Sequence, residues 1–267
     1  MAHIPKTWGD FLDGHVFIIN LDRKPERLAK SMKRIKDAGF TNVHRFQAID
    51  GLNDDMPILW IEQHGAPAFD PSDGKFNDPA NHPHHQAIML SHLGVLKEII
   101  EKEIPWSIVF EDDAVFHQKW DILAPKYFEI TPPDYDMLYL GHHCGCGFDA
   151  HIARIPVYCL QAYGITLEGA KFLYDKIIKE PKGVRTIDCM IWDYMCAALQ
   201  KPCQGVRPEG FLNWYAWNGE QFPDTTARKD PACAHKDQGL VFQEYDGDKY
   251  DEYKSATAQI SGGVTSR

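Results

Sequence analysis

The sequence predicts an α/β protein, a Rossmann-like sheet layered between helices, and three observations carry that prediction. From residue 15 onward, apolar runs of strand length alternate with segments of helical periodicity, the rhythm of βα units. The first of these runs is almost wholly apolar and β-branched, as expected of a strand buried on both faces. Another, residues 106–110, ends abruptly in Glu111, Asp112 and Asp113. In open α/β sheets, ligands collect in the crevice beyond the carboxyl ends of the strands.

Taken in order, residues 15–21 predict the first strand. Pro25 then stands where the first turn of a helix tolerates a missing N–H. Leu28, Met32 and Ile35 follow at helical spacing, and Gly39 ends the helix. Residues 43–49 predict the second strand, closed by Asp50-Gly51. Over residues 52–84 Asp, Asn, Gly and Pro recur, and His82, His84 and His85 cluster, so a long loop near the site is expected. Helical periodicity returns over 86–103, with Ile88, Leu93, Leu96, Ile99 and Ile100 as its apolar face. After the acidic strand come a Pro-flanked segment and a strand over 135–141. Residues 158–165 predict a further strand, 167–179 an amphipathic helix, and 189–199 a helix with Asp188 as its N-cap. The last third is aromatic, Pro-punctuated and irregular, and its polar end reads as a disordered tail.

Composition removes several classes of function. A chain of 267 residues with 44% hydrophobic content has enough apolar side chain for a sizeable core. A formal net charge of −10 disfavours nonspecific attraction to nucleic acid or to an anionic membrane surface. No segment approaches the ~20 apolar residues of a membrane span. Residues 1–14 lack the basic start and apolar core of a secretory signal, so a cytoplasmic location is expected. The seven cysteines are an odd number, and reduced thiols are the expectation. His142-His143-Cys144-Gly145-Cys146 lacks the Cys-X₂₋₄-Cys spacing of a zinc site.

Three adjacent carboxylates repel unless something cationic neutralises them. A hard divalent cation takes such oxygen ligands and usually shares them with a phosphorylated substrate. A solvated acidic turn is the plain alternative.

Four segments, in order, resemble glycosyltransferase family 25, which includes lipopolysaccharide-type glycosyltransferases and procollagen galactosyltransferases. They are Phe17-Ile18-Ile19-Asn20-Leu21-Asp22-Arg23 with Pro25, Glu26 and Arg27 behind it; Phe46-Gln47-Ala48-Ile49-Asp50-Gly51; Leu90-Ser91-His92-Leu93; and Phe110-Glu111-Asp112-Asp113. A fifth, Tyr163-Gly164-Ile165-Thr166 with Gly169-Ala170, leads to Ile187-Asp188. The chain departs from the family where Ala87 and Ile88 replace a Gly and a Cys before Ser91-His92, and beyond residue 200 little aligns.

The resemblance implies a GT-A fold, a UDP-sugar donor carrying galactose or glucose, Mn²⁺ or Mg²⁺, and an inverting transfer to an acceptor hydroxyl on a glycan or hydroxylysine. One domain is expected over residues 1–255, with a nucleotide-sugar part at about 15–150, an irregular acceptor lobe at about 151–255, and a disordered tail over 256–267. In an extended chain Glu111 and Asp113 project to one side and Asp112 to the other. Glu111 and Asp113 are therefore the candidate metal ligands, with His235 as a late third and Asp112 left to the nucleotide sugar. Asn20, Asp22, Arg23, Arg27, Asp50 and Ser91 are the other candidate nucleotide-sugar contacts. Asp22 is equally a helix cap, Arg27 equally a partner for Asp50, and Ser91-His92 equally structural. Asp188 is the candidate base, with Asp193 in reserve. Trp214, Tyr215 and Trp217 form either an acceptor platform or core. A non-catalytic nucleotide-sugar- or glycan-binding relative and a metal-dependent nucleotide-sugar hydrolase are the rival functions.

Overall fold

The computed structural model describes residues 4–67, 83–143, 151–181, 183–199, 212–218 and 237–244. Its centre is a mixed sheet. Strand β1 (His15–Asn20) pairs in parallel with β2 (Val43–Gln47) on one side and with β3 (Trp106–Glu111) on the other. Beyond β3 the direction alternates. β7 (Tyr158–Thr166) runs antiparallel to both β3 and β5 (Met137–His143). β5 then pairs in parallel with β8 (Trp214–Trp217) and antiparallel with β9 (Asp237–Gly239), while β6 (Ile152–Ala153) closes the far edge on β8. The spatial order is β2-β1-β3-β7-β5-β8-β6. A separate ribbon joins β4 (Ala114–Phe116) to β10 (Val241–Gln243).

Strand periodicity divides the core into two layers. Phe17, Ile19, Val109, Tyr139 and Tyr163 face one layer, packed against α3 (Met56–His64), α4 (Pro83–Glu101), α6 (Leu167–Ile178) and α7 (Ile187–Leu199). Val16, Ile18, Ile108, Phe110 and Leu138 face the other, packed against α1 (Trp8–Leu12), α2 (Pro25–Asp37) and α5 (Trp120–Ile130). The result is the expected Rossmann-like α/β/α arrangement, built on a mixed rather than an all-parallel sheet. Helix α2 begins at Pro25 and gives way at Gly39, whose φ of +99° suits a residue without Cβ.

Several expectations are corrected. Residues 56–64 are helical, not loop: Asp55 accepts the Ile58 N–H at 3.1 Å, Pro57 stands in the first turn, and Met56 and Trp60 are buried one turn apart. Turn-forming residues around so short a helix hide its period. His84 and His85 belong to the first turn of α4 rather than to a loop, and Ile88, expected on the buried face, is exposed. The Pro-flanked segment contains β4 and α5, with Pro125 inside the helix. The described part of the last third is not an irregular lobe, because β8 and β9 complete the main sheet on β5. Strands this short carry little periodic signal and gain stability from their neighbours. The expected disordered tail and His82 lie outside the described residues.

Candidate functional site

The parallel strands β2, β1 and β3 end side by side, and the chain leaving each one lines a single cleft of about 590 Å³. Leu21, Arg23, Lys24 and Arg27 follow β1; Ala48 to Gly51 follow β2; Asp112 and Asp113 follow β3. Beside β3, the antiparallel strand β7 adds Cys159 and Leu160, and the start of α7 adds Thr186, Ile187 and Asp188. His84, His85, Ile88, Ser91 and His92 on α4 form the floor and flank.

The acidic triplet does not keep strand alternation, because β3 ends at Glu111 and a turn leads into β4. Asp112 and Asp113 thus converge on one cation: Arg27 Nη2 lies 2.9 Å from Asp112 and 3.2 Å from Asp113. Glu111 turns elsewhere, with His92 Nε2 at 3.4 Å from one carboxylate oxygen and Gln243 Nε2 donating to the other at 3.1 Å. Buried carboxylates this close need a fixed positive charge, and α2 supplies it from its first turn.

The nucleotide-sugar candidates separate into groups. Arg23 pairs with Asp50 at 3.0 Å, so Arg27 is not the partner of Asp50. Burial opposes ionisation of Asp50, but hydrogen bonds from the Leu52 N–H, Arg23 and Asn53 outweigh it and lower its pKa. Arg23, Arg27, Asp50, Ser91 and Asp112 all line the cleft. Asn20 does not: it is 1% exposed, its amide donates to Asp112 at 2.7 Å and to the Lys24 carbonyl at 2.9 Å, and its oxygen accepts from Arg45. Its role is to hold Asp112. Asp22 also stands outside, on the Arg45 guanidinium and the Gln47 amide, and it is not the helix cap either, since Lys24 holds that position. The Ser91 hydroxyl donates to the Ala87 carbonyl at 2.7 Å and accepts the Ile49 N–H at 2.9 Å, so it ties the β2 exit loop to α4.

Asp188 is the second residue of α7 rather than its cap. One carboxylate oxygen accepts the Cys189 N–H at 2.8 Å and the other the Cys159 N–H at 3.3 Å. Cys159 reaches it with φ of +69°, a left-handed conformation costly for a side chain with Cβ. Asp193 is exposed and bound to Arg185.

The aromatic platform is corrected. Trp214 and Trp217 are 0% exposed and donate their indole N–H groups to the Ile155 carbonyl and the Thr131 hydroxyl. Tyr215 is half-buried, with its hydroxyl on Asp134, and is not part of the cleft wall. These are core and edge residues of β8. His235 lies outside the described residues, and among the described residues no three His, Cys, Asp or Glu side chains gather as a metal-holding group. Cys159, Cys189 and Cys196 are thiols, with no disulfide among the described residues.

Two residues went unnoticed in the sequence. Gln243, the last residue of β10, and Glu244 just after it line the cleft. Glu244 donates its N–H to the Asp113 carbonyl at 2.7 Å, and its carboxylate binds Arg34 and Lys30. Those two cations lower its pKa to about 2 against the opposing effect of burial. No local signal marks either residue, because their partners lie more than a hundred positions away in the sequence.

The same segments carry the chain's relationships. Residues 13–156 match the model of glycosyltransferase family 25, described as an LPS biosynthesis protein family. The chain belongs to glycosyltransferase family 25. A relative from Drosophila pseudoobscura pseudoobscura, named "Glycosyltransferase 25 family member", is 29% identical over 138 residues, which is 48% of this chain and 20% of that protein. The chain therefore spans about a fifth of that relative's length. A solved glycosyltransferase involved in glycosylation of the major capsid of PBCV-1 superposes with a TM-score of 0.38 and 7% identity, over 76% of this chain and 80% of that one. The family match runs from the turn before β1 through β5 and β6 and includes the acidic triplet. It stops before β7 and α7, which also line the cleft.

Proposed function

We propose that this family 25 chain transfers a hexose, galactose or glucose, from a UDP-sugar to an acceptor hydroxyl on a glycan or a hydroxylysine. One observation carries the reading: the exits of three adjacent parallel strands and the start of α7 line a single cleft, the position where open α/β sheets take nucleotides. The loop after β2, held by Ser91, and the Arg23–Asp50 pair are suited to the ribose and base. Arg27, anchored on Asp112 and Asp113, presents positive charge toward the diphosphate.

Charge argues for a further cation. Among the described residues, six carboxylates and three Arg or Lys side chains line the cleft, a poor setting for a diphosphate. Mg²⁺ or Mn²⁺ bound with substrate phosphates and water needs only one or two protein carboxylates, so a three-residue cage is not required. Asp112 and Asp113, brought together by the turn after β3, would hold it, while Glu111 stays on His92 and Gln243. Such an ion would supply Lewis-acid stabilisation of the departing diphosphate.

In an inverting transfer the acceptor oxygen attacks the anomeric carbon as the bond to the UDP oxygen breaks, and Asp188 takes the acceptor proton. Asp188 lines the cleft from the start of α7, with its carboxylate oriented by two backbone N–H groups.

The test is UDP release from a panel of UDP-sugars with Mn²⁺, with Mg²⁺ and with chelator, for the native chain and Asp113→Ala. Release from one UDP-hexose that falls by about a hundredfold in the variant is expected, the scale of losing an electrostatic contact to the leaving group. Release unaffected by Asp113→Ala would refute the assignment of the acidic turn. Free sugar formed at a rate no acceptor can divert would favour the hydrolase.

A further inference from the structure

With Trp214 and Trp217 committed to the core, the candidate acceptor contact lies elsewhere. Tyr158 and Trp192 stack face to face with ring centroids 3.9 Å apart and planes 4° from parallel. Aromatic pairs favour offset or edge-on geometry over such a sandwich, so the rings are held parallel by the elements that carry them. Both are half-buried rather than part of either core layer.

Their location gives the pair a purpose. Trp192 follows Asp188 by four residues on α7, so the two stand on one helix face a turn apart. Tyr158 immediately precedes Cys159 and Leu160, which line the cleft. The Cys159 N–H donates to Asp188 at 3.3 Å, which ties together the two points from which the rings project. The left-handed backbone at Cys159 breaks the alternation of β7 directly beside Tyr158. The Asp188 charge is also close enough to help raise the Tyr158 pKa, after burial, Cys189 and Cys196.

We propose that the Tyr158–Trp192 stack is the platform for the acceptor sugar, on which the apolar C–H face of a hexopyranose lies with a hydroxyl directed toward Asp188. Aromatic faces carry partial negative charge and suit polarised C–H groups. The assignment rests on the donor and base reading above, and it moves acceptor recognition from β8 to the surface of β7 and α7 next to Cys159 and Asp188, the cleft-lining residues beside the two rings.

The test uses methyl β-D-galactopyranoside and methyl β-D-glucopyranoside as probes, on the whole chain with UDP bound. Saturation-transfer NMR should show contact between the ring protons of at least one glycoside and the native protein, and Trp192→Ala should abolish it. With the active UDP-sugar, the ratio of transfer to hydrolysis should fall about tenfold in Trp192→Ala and stay within about threefold in Trp192→Phe, as the loss and retention of one stacking face predict. An unchanged ratio in Trp192→Ala overturns the proposal, as does the absence of glycoside contact with the native protein. Urea unfolding of each variant separates loss of the fold from loss of the platform. If no UDP-sugar is cleaved, the donor reading fails, while the saturation-transfer arm still judges the platform alone.

Discussion

At the scale of the residue, the organising contact is Arg27 between Asp112 and Asp113. Its side chain and both carboxylates are largely buried, so removing the cation leaves two like charges without their counterion. Arg27→Leu should lower stability by about 3 kcal/mol, read as a shift of the urea midpoint, and Arg27→Lys should recover part of it. An unchanged midpoint in Arg27→Leu would mean that solvent already neutralises the pair. Asp188→Asn keeps the size and one of the two oxygens that accept backbone N–H groups but cannot take a proton. It should lower acceptor-dependent turnover by about a hundredfold or more with little change in donor KM. A matching rise in donor KM would instead make Asp188 a donor contact. Asp112 and Asp113 were legible in the sequence as part of an acidic cluster, and Arg27 as a donor contact or a partner of Asp50. Their mutual pairing was not, because strand alternation ends at Glu111 and the turn beyond it sends Asp112 and Asp113 to the same guanidinium.

At the scale of the element, α2 and β10 are joined by Glu244, whose pKa is lowered to about 2 by Arg34 and Lys30. A carboxylate with a depressed folded pKa contributes stability that is present above its unfolded value, near 4.5, and is lost as pH falls toward about 2. Glu244→Gln should therefore unfold at lower urea than the native chain at pH 7. That difference should narrow as pH falls below the unfolded value. A difference independent of pH would assign the effect to packing. Helix α3 offers a second check: Asp55→Ala removes its N-cap acceptor and should cost about 1 kcal/mol, seen as faster hydrogen exchange over residues 56–64. The sequence concealed α3 among turn-forming residues, and only burial of Met56 and Trp60 against α4 explains its persistence.

At the scale of the whole molecule, burial leaves the fold sensitive to acid. His64 and His142 are both pushed to a pKa of about 4, chiefly by burial, so each is neutral in the folded chain above that value. Their folded pKa values lie below the usual 6.5, so the unfolded state binds more protons and stability falls as pH drops from about 6.5 toward 4. The urea midpoint should be lower at pH 5 than at pH 7.5, and His142→Gln should reduce that difference if the variant folds. Among the described residues, no helix is long and apolar enough to cross a membrane. By itself the sequence determined the βα rhythm, the strand that ends in Glu111, Asp112 and Asp113, and the family resemblance, because periodicity and short motifs are local properties of the chain. Tertiary structure alone decided that β8 and β9 complete the sheet, that Trp214 and Trp217 are core, and that Gln243 and Glu244 reach the acidic turn. Those outcomes depend on contacts between residues far apart in the sequence, whose energy comes from the partner rather than from the segment.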